Sequence, residues 1–111
     1  QHSLDKLPQS LKLLKICVNC FNKPITKLPQ SLKLLKIIGK SFNKSVNNLP
    51  QSLKSLIIQL SPIYGGYFNQ PVDKLPHSLK SLIIWGNNFN QSLDKLPQSL
   101  KSLTINNKKI I

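Results

Sequence analysis

The phrase Leu-Pro-x-Ser-Leu-Lys-x-Leu occurs five times, opening at Leu7, Leu28, Leu49, Leu75 and Leu96, so the chain is one unit written repeatedly. The spacing is 21 residues, stretched once to 26 between Leu49 and Leu75. Such a period is too long for a coiled-coil heptad and too short for a self-sufficient domain. A unit of this size buries its apolar side chains only by stacking on its neighbours, and that predicts a solenoid.

Aligned on Leu-Pro, the units share four apolar columns: Leu11, Leu32, Leu53, Leu79, Leu100; Leu14, Leu35, Leu56, Leu82, Leu103; Ile16, Ile37, Ile58, Ile84, Ile105; and Phe21, Phe42, Phe68, Phe89. The second and third columns stand two residues apart, and that alternation predicts one short strand per unit, stacked parallel at about 4.8 Å. Proline follows the first leucine of every unit, which keeps that position out of the ladder and in a turn. About a dozen residues lead back from each strand to the next Leu-Pro, too few for a full helix. The expected fold is a mainly β solenoid, leucine-rich-repeat-like and right-handed, of about five turns with little or no α-helix.

The whole chain, residues 1–111, reads as a single array, with a partial unit over 1–6 and units starting near 7, 28, 49, 75 and 96. Its first residues, Gln1-His2-Ser3-Leu4, resemble the mid-unit stretch Asn90-Gln91-Ser92-Leu93, so the reading is a piece of a longer array. Ile110 falls where the other units carry Phe and no polar terminal cap follows it, and open ends predict end-to-end self-association as one structural role. The long unit carries five extra residues within 60–67; Pro62 and Gly65-Gly66 predict a loop bulging from the end of a strand, with Tyr64 and Tyr67 as candidate contacts.

The spacing Leu79-x-x-Leu82-x-Ile84-x-x-Asn87-x-Phe89 is that of leucine-rich repeats. Together with Leu-Pro-x-Ser-Leu, Phe-Asn-Lys-Pro-Ile at 21–25 and Phe-Asn-Gln-Pro-Val at 68–72, the unit resembles the FNIP repeat, a leucine-rich-like repeat of social amoebae and giant DNA viruses of amoebae. The resemblance implies a horseshoe-like solenoid used for protein contacts, often joined to an F-box or another domain. Ser45 and Ser92 replace the proline of the motif, and Lys40 and Lys108 stand where the leucine-rich pattern has asparagine.

On each strand the residues flanking the inward Leu and Ile point the other way, onto the concave face. Three columns result: Leu13, Leu34, Ser55, Ser81, Ser102; Lys15, Lys36, Ile57, Ile83, Thr104; and Cys17, Ile38, Gln59, Trp85, Asn106. Ile38, Ile57, Ile83 and Trp85 form an expected apolar patch for a protein partner, with Lys15 and Lys36 as steering charges. β-propensity alone also accounts for isoleucine on a strand.

All 16 basic residues are lysine, against three aspartates, giving +13. Arg, Ala, Glu and Met are absent, a pattern that A+T-rich coding favours. Lys12, Lys33, Lys54, Lys80 and Lys101 occupy one point of all five units. This like-charge column is a candidate site for a polyanion, nucleic acid or anionic lipid, and equally a solvated edge that keeps the array soluble.

Nothing in the chain assembles catalytic chemistry. Asp5, Asp73 and Asp94 share one repeat position with Thr26 and Asn47, as a turn-forming role requires. The Leu-Pro-x-Ser serines recur in every unit, and His77 merely replaces a repeated glutamine. Cys17-Val18-Asn19-Cys20 has half of a zinc spacing but no second pair, so the thiols read as structural. No enzyme activity, cofactor, metal or transmembrane segment is expected. Asn43-Lys44-Ser45 and Asn90-Gln91-Ser92 are formal glycosylation sequons whose asparagines belong to the Phe-Asn turn and its hydrogen bonds. The expected location is cytoplasmic or nuclear, or the virion if viral.

Overall fold

A computed structural model describes residues 6–17, 25–61, 63, 67–85 and 88–111. Five parallel strands stack in chain order: β1 (Leu13–Cys17), β2 (Leu34–Gly39), β3 (Ser55–Leu60), β4 (Ser81–Trp85) and β5 (Ser102–Ile105). A two-residue strand, β6 (Lys108–Lys109), ends the sheet antiparallel to β5. Four circuits join the five parallel strands, one fewer than the five turns expected, and the described residues include no α-helix. The chain is a parallel β-solenoid.

The ladder register reproduces the repeat alignment. Leu14, Leu35, Leu56, Leu82 and Leu103 are partners across the sheet, as are Ile16, Ile37, Ile58, Ile84 and Ile105. From β2 to β5 these side chains are buried, whereas Leu14 and Ile16, on the end strand β1, are only partly covered. The leucine of Leu-Pro joins them inside at Leu28, Leu49 and Leu75, and Ile25, Val46 and Val72 fill the back of the core.

The turn before each strand has one form throughout. The amides of Leu11, Leu32, Leu53, Leu79 and Leu100 donate to the carbonyls of Pro8, Pro29, Pro50, Pro76 and Pro97 at 3.1–3.2 Å, closing a β-turn over Pro-x-Ser-Leu. Proline, which has no amide hydrogen, thus serves as the acceptor. The serine stitches successive turns: Ser31, Ser52, Ser78 and Ser99 donate their hydroxyls to the carbonyls of Leu11, Leu32, Leu53 and Leu79 in the preceding unit at 2.6–2.7 Å.

A second spine runs up the opposite side. Phe42, Phe68 and Phe89 stack face to face, with centroids 5.9 and 6.2 Å apart and planes within 2°. Beside them the expected asparagine hydrogen bonds form a ladder. The Asn69 amide donates to Asn43 Oδ1 and the Asn90 amide to Asn69 Oδ1, each at 2.9 Å, while Asn69 Nδ2 donates to Asn90 Oδ1. Gln70 and Gln91 add donors to the carbonyls of Asn43 and Asn69. Where serine replaces the motif proline, its hydroxyl takes over the turn: Ser45 Oγ accepts from the Asn47 amide and Ser92 Oγ from the Asp94 amide.

The long unit keeps the register, with Ser55 opposite Ser81 and Gln59 opposite Trp85. Leu60 itself extends β3 and is buried against the core, so the extra residues begin after it. Ile63, at 86% exposure, and Tyr67 project outward, as a loop outside the stack requires.

The open C-terminal edge expected from the sequence is absent. Asn106 and Asn107 both take left-handed backbone, φ 50° and 69°, the pair of conformations that a two-residue type I′ hairpin needs and that asparagine tolerates. β6 thereby folds back and occupies the outer edge of β5, with further bonds from Ile110 and Ile111 to Leu103. The Asn106 side chain pins the hairpin to the previous unit, its Nδ2 donating to the Phe89 carbonyl at 2.8 Å and its Oδ1 accepting from the Phe89 amide. Lys108 and Lys109 then form the outermost strand, a composition that discourages further pairing. A stacking role through this end loses the bare parallel edge it called for.

Candidate functional site

The outward face of the sheet, expected to be the concave one, is built by the strand residues that alternate with the core. Cross-strand partners place Lys15, Lys36, Ile57, Ile83 and Thr104 in one row and Cys17, Ile38, Gln59 and Trp85 in the next. Ile57 and Ile83 are direct neighbours, and Trp85 lies two residues beyond Ile83 on the same face. The structure therefore brings Ile38, Ile57, Ile83 and Trp85 together, with Lys15 and Lys36 beside them.

Their exposure differs from expectation. Trp85 is 45% exposed, but Ile38, Ile57 and Ile83 are half-buried. Each isoleucine sits between two strands at the parallel spacing, and the flanking side chains shade it: Cys17 and Gln59 for Ile38, Lys36 and Ile83 for Ile57, Ile57 and Thr104 for Ile83. Within this cluster the accessible apolar surface is thus concentrated on Trp85, with the isoleucines as a floor beside it. Leu13, on the end strand, is 59% exposed. Cys17 carries a free, exposed thiol on this face; Cys20 lies outside the described residues.

Of the two tyrosines assigned to the insertion, Tyr67 is 45% exposed and Tyr64 lies outside the described residues.

Lys12, Lys33, Lys54, Lys80 and Lys101 are all exposed, at the corner between the β-turn and the strand. Their backbones form consecutive rungs, each lysine amide donating to the carbonyl of the lysine one turn earlier at 2.8 Å. The five side chains therefore leave the protein in single file. A second file escaped the sequence reading: Lys6, Lys27, Lys74 and Lys95, each just before Leu-Pro, are exposed on the other side of the turn. The signal was present, since lysine precedes Leu-Pro in four of the five units.

The acidic residues do not serve the two files equally. All three aspartates immediately precede a lysine of the second file, at Asp5-Lys6, Asp73-Lys74 and Asp94-Lys95. Asp73, Lys74, Asp94 and Lys95 also line one open groove of about 740 Å³ together with His77 and Gln98. No aspartate adjoins the first file in sequence.

Elsewhere the repeated polar residues are structurally engaged. The Leu-Pro-x-Ser hydroxyls belong to the serine ladder, and among the described residues no cluster of His, Cys, Asp or Glu could hold a metal ion. No helix of the described residues is long and apolar enough to cross a membrane.

These features define a leucine-rich-like parallel β-solenoid with a stacked phenylalanine spine and a variable outward sheet face. The FNIP Repeat family model matches residues 21–61 and 67–108, and the chain belongs to the FNIP repeat family. The two matches leave out residues 62–66, the place of the five-residue insertion. No curated protein and no solved structure matches the chain.

Proposed function

We propose that the chain is a non-enzymatic recognition module that binds a protein partner through its concave sheet. Trp85 is the anchor, with Ile83, Ile57 and Ile38 as the apolar floor and Lys15 and Lys36 as steering charges. The observation that carries this reading is the exposed Trp85 beside the Ile57–Ile83 pair. Tryptophan on an accessible apolar surface is the side chain most often found at the energetic centre of an interface. The rows also change character along the stack, from Lys15 and Lys36 through Ile57 and Ile83 to Thr104. A fitting partner carries an apolar patch bordered on one side by acidic residues. Tyr67 on the insertion stands as a further contact at the rim.

The repeat design supports this division of labour. Core, serine and asparagine columns are occupied by bonds within the stack, and the concave columns are where the units differ from one another. The test substitutes Trp85→Ala and Ile57→Ser together and compares partner recovery with the unaltered chain. Recovery falls by tenfold or more, about 1.4 kcal/mol, while far-UV circular dichroism is unchanged. Equal recovery from both chains contradicts the proposal.

A further inference from the structure

The geometry points to a second, separate surface: the file Lys12, Lys33, Lys54, Lys80, Lys101 binds the phosphodiester backbone of a nucleic acid without reading its bases. Three observations carry it. The file is rigidly founded, because each lysine backbone is bonded to the next at 2.8 Å, so five ammonium groups are presented on one line. It is exposed along its whole length. It is also uncompensated, because all the aspartates adjoin the other file.

The dimensions suit a linear polyanion. Four rungs at the parallel spacing set the file at about 19 Å long. Over that length the two strands of a duplex carry roughly eleven phosphates, about half of them on the side that faces the file. Five lysines on flexible four-carbon stems adapt to that spacing without strict register. The turn beside the file exposes Gln9, Gln30, Gln51, His77 and Gln98. Glutamine amides are ordinary donors to phosphate oxygens, so this edge adds neutral donors to the charges.

A membrane surface fits less well. A protein that lies on a bilayer inserts apolar side chains between headgroups. On this edge Leu28, Leu49 and Leu75 are buried, as are Pro29, Pro50, Pro76 and Pro97; exposed apolar groups are confined to the first unit, at Pro8 and Leu13, and the tips carry Gln and His. Base reading is not part of the inference, since the file holds one residue type throughout.

The inference stands apart from the concave-sheet reading, and the two fail independently. The test measures binding of a fluorescein-labelled DNA duplex of mixed sequence as salt is raised. With five phosphates neutralised, the unaltered chain gives a log–log slope of about −4.5, from ~0.9 per phosphate. Changing Lys12, Lys33, Lys54, Lys80 and Lys101 to Gln lowers affinity at low salt by a hundredfold or more and flattens the slope. Changing Lys6, Lys27, Lys74 and Lys95 to Gln lowers it less than tenfold, although nearly as much charge is removed. Circular dichroism checks that both variants fold; if the first does not, Lys54→Gln alone lowers the slope by ~0.9. Equal weakening by both variants overturns the inference and leaves only net charge. Absence of binding at low salt, or tighter binding to phosphatidylserine vesicles than to the duplex, also overturns it.

Discussion

The ring planes of Phe42 and Phe68 are within 2° of parallel, with centroids 5.9 Å apart, although 26 residues separate them in sequence. Phe68 and Phe89, only 21 residues apart, hold almost the same relation at 6.2 Å and 2°. The spine therefore has one pitch whichever unit length spans it, and Ile63 and Tyr67, the described residues of the longer unit's insertion, are exposed.

Removing residues 62–66 restores the regular unit and leaves this stack intact. Loop length enters stability only logarithmically, so the change in unfolding free energy is expected below about 1 kcal/mol. Urea denaturation of the shortened chain checks this. A loss of several kcal/mol would mean that the loop packs on the core.

Phe68 sits between two aromatic neighbours and is buried, so Phe68→Ala leaves a cavity in the middle of the array. The expected cost is about 3–5 kcal/mol. Leu14→Ala, on the partly covered end strand, costs less. The two midpoints in urea give the ranking directly.

Asn69 Nδ2 donates to Asn90 Oδ1 at 2.9 Å. Asn69→Asp keeps the shape but turns that donor into an acceptor, placing a carboxylate oxygen against a carbonyl oxygen. Because this bond is exposed to solvent, the variant loses only about 0.5–1.5 kcal/mol at neutral pH. Asn69→Ala, which removes the bonds without adding repulsion, serves as the comparison by thermal melting.

Asn107, at φ 69°, occupies the left-handed region that a β-branched side chain avoids. Asn107→Val is expected to cost about 1–2 kcal/mol, whereas Asn107→Gly is neutral or slightly stabilising. If β6 is a cap, the valine variant also exposes the edge of β5 and associates in light scattering, while the glycine variant stays as the parent.

The repeating layers were the legible part of the fold. Leu14, Ile16 and Phe42 recur at constant offsets from Leu-Pro, and side chains that must fill the same space in every turn cannot vary. The C-terminal hairpin was missed because it departs from the unit. Its signal was the pair Asn106-Asn107 between Ile105 and Lys108, a turn chemistry that is visible only when the repeat alignment is set aside. The serines were recognised as repeated, but the unit-to-unit bonds, such as Ser52 to the Leu32 carbonyl, depend on the stack and not on any local pattern. At the candidate site, alternation assigned Ile57 and Ile83 to the correct face. It could not give their half-burial, which comes from the flanking strands.

The most direct test of the concave-face account replaces Gln59 with a photo-crosslinking amino acid. Gln59 is the cross-strand partner of Ile38 and Trp85, at the centre of the proposed surface. The same group at Asn48, exposed just before Leu49-Pro50, is the control. The account predicts protein adducts from position 59 that disappear with Trp85→Ala, and none at position 48. Equal adducts at both positions, or adducts at 59 that survive loss of Trp85, would contradict it.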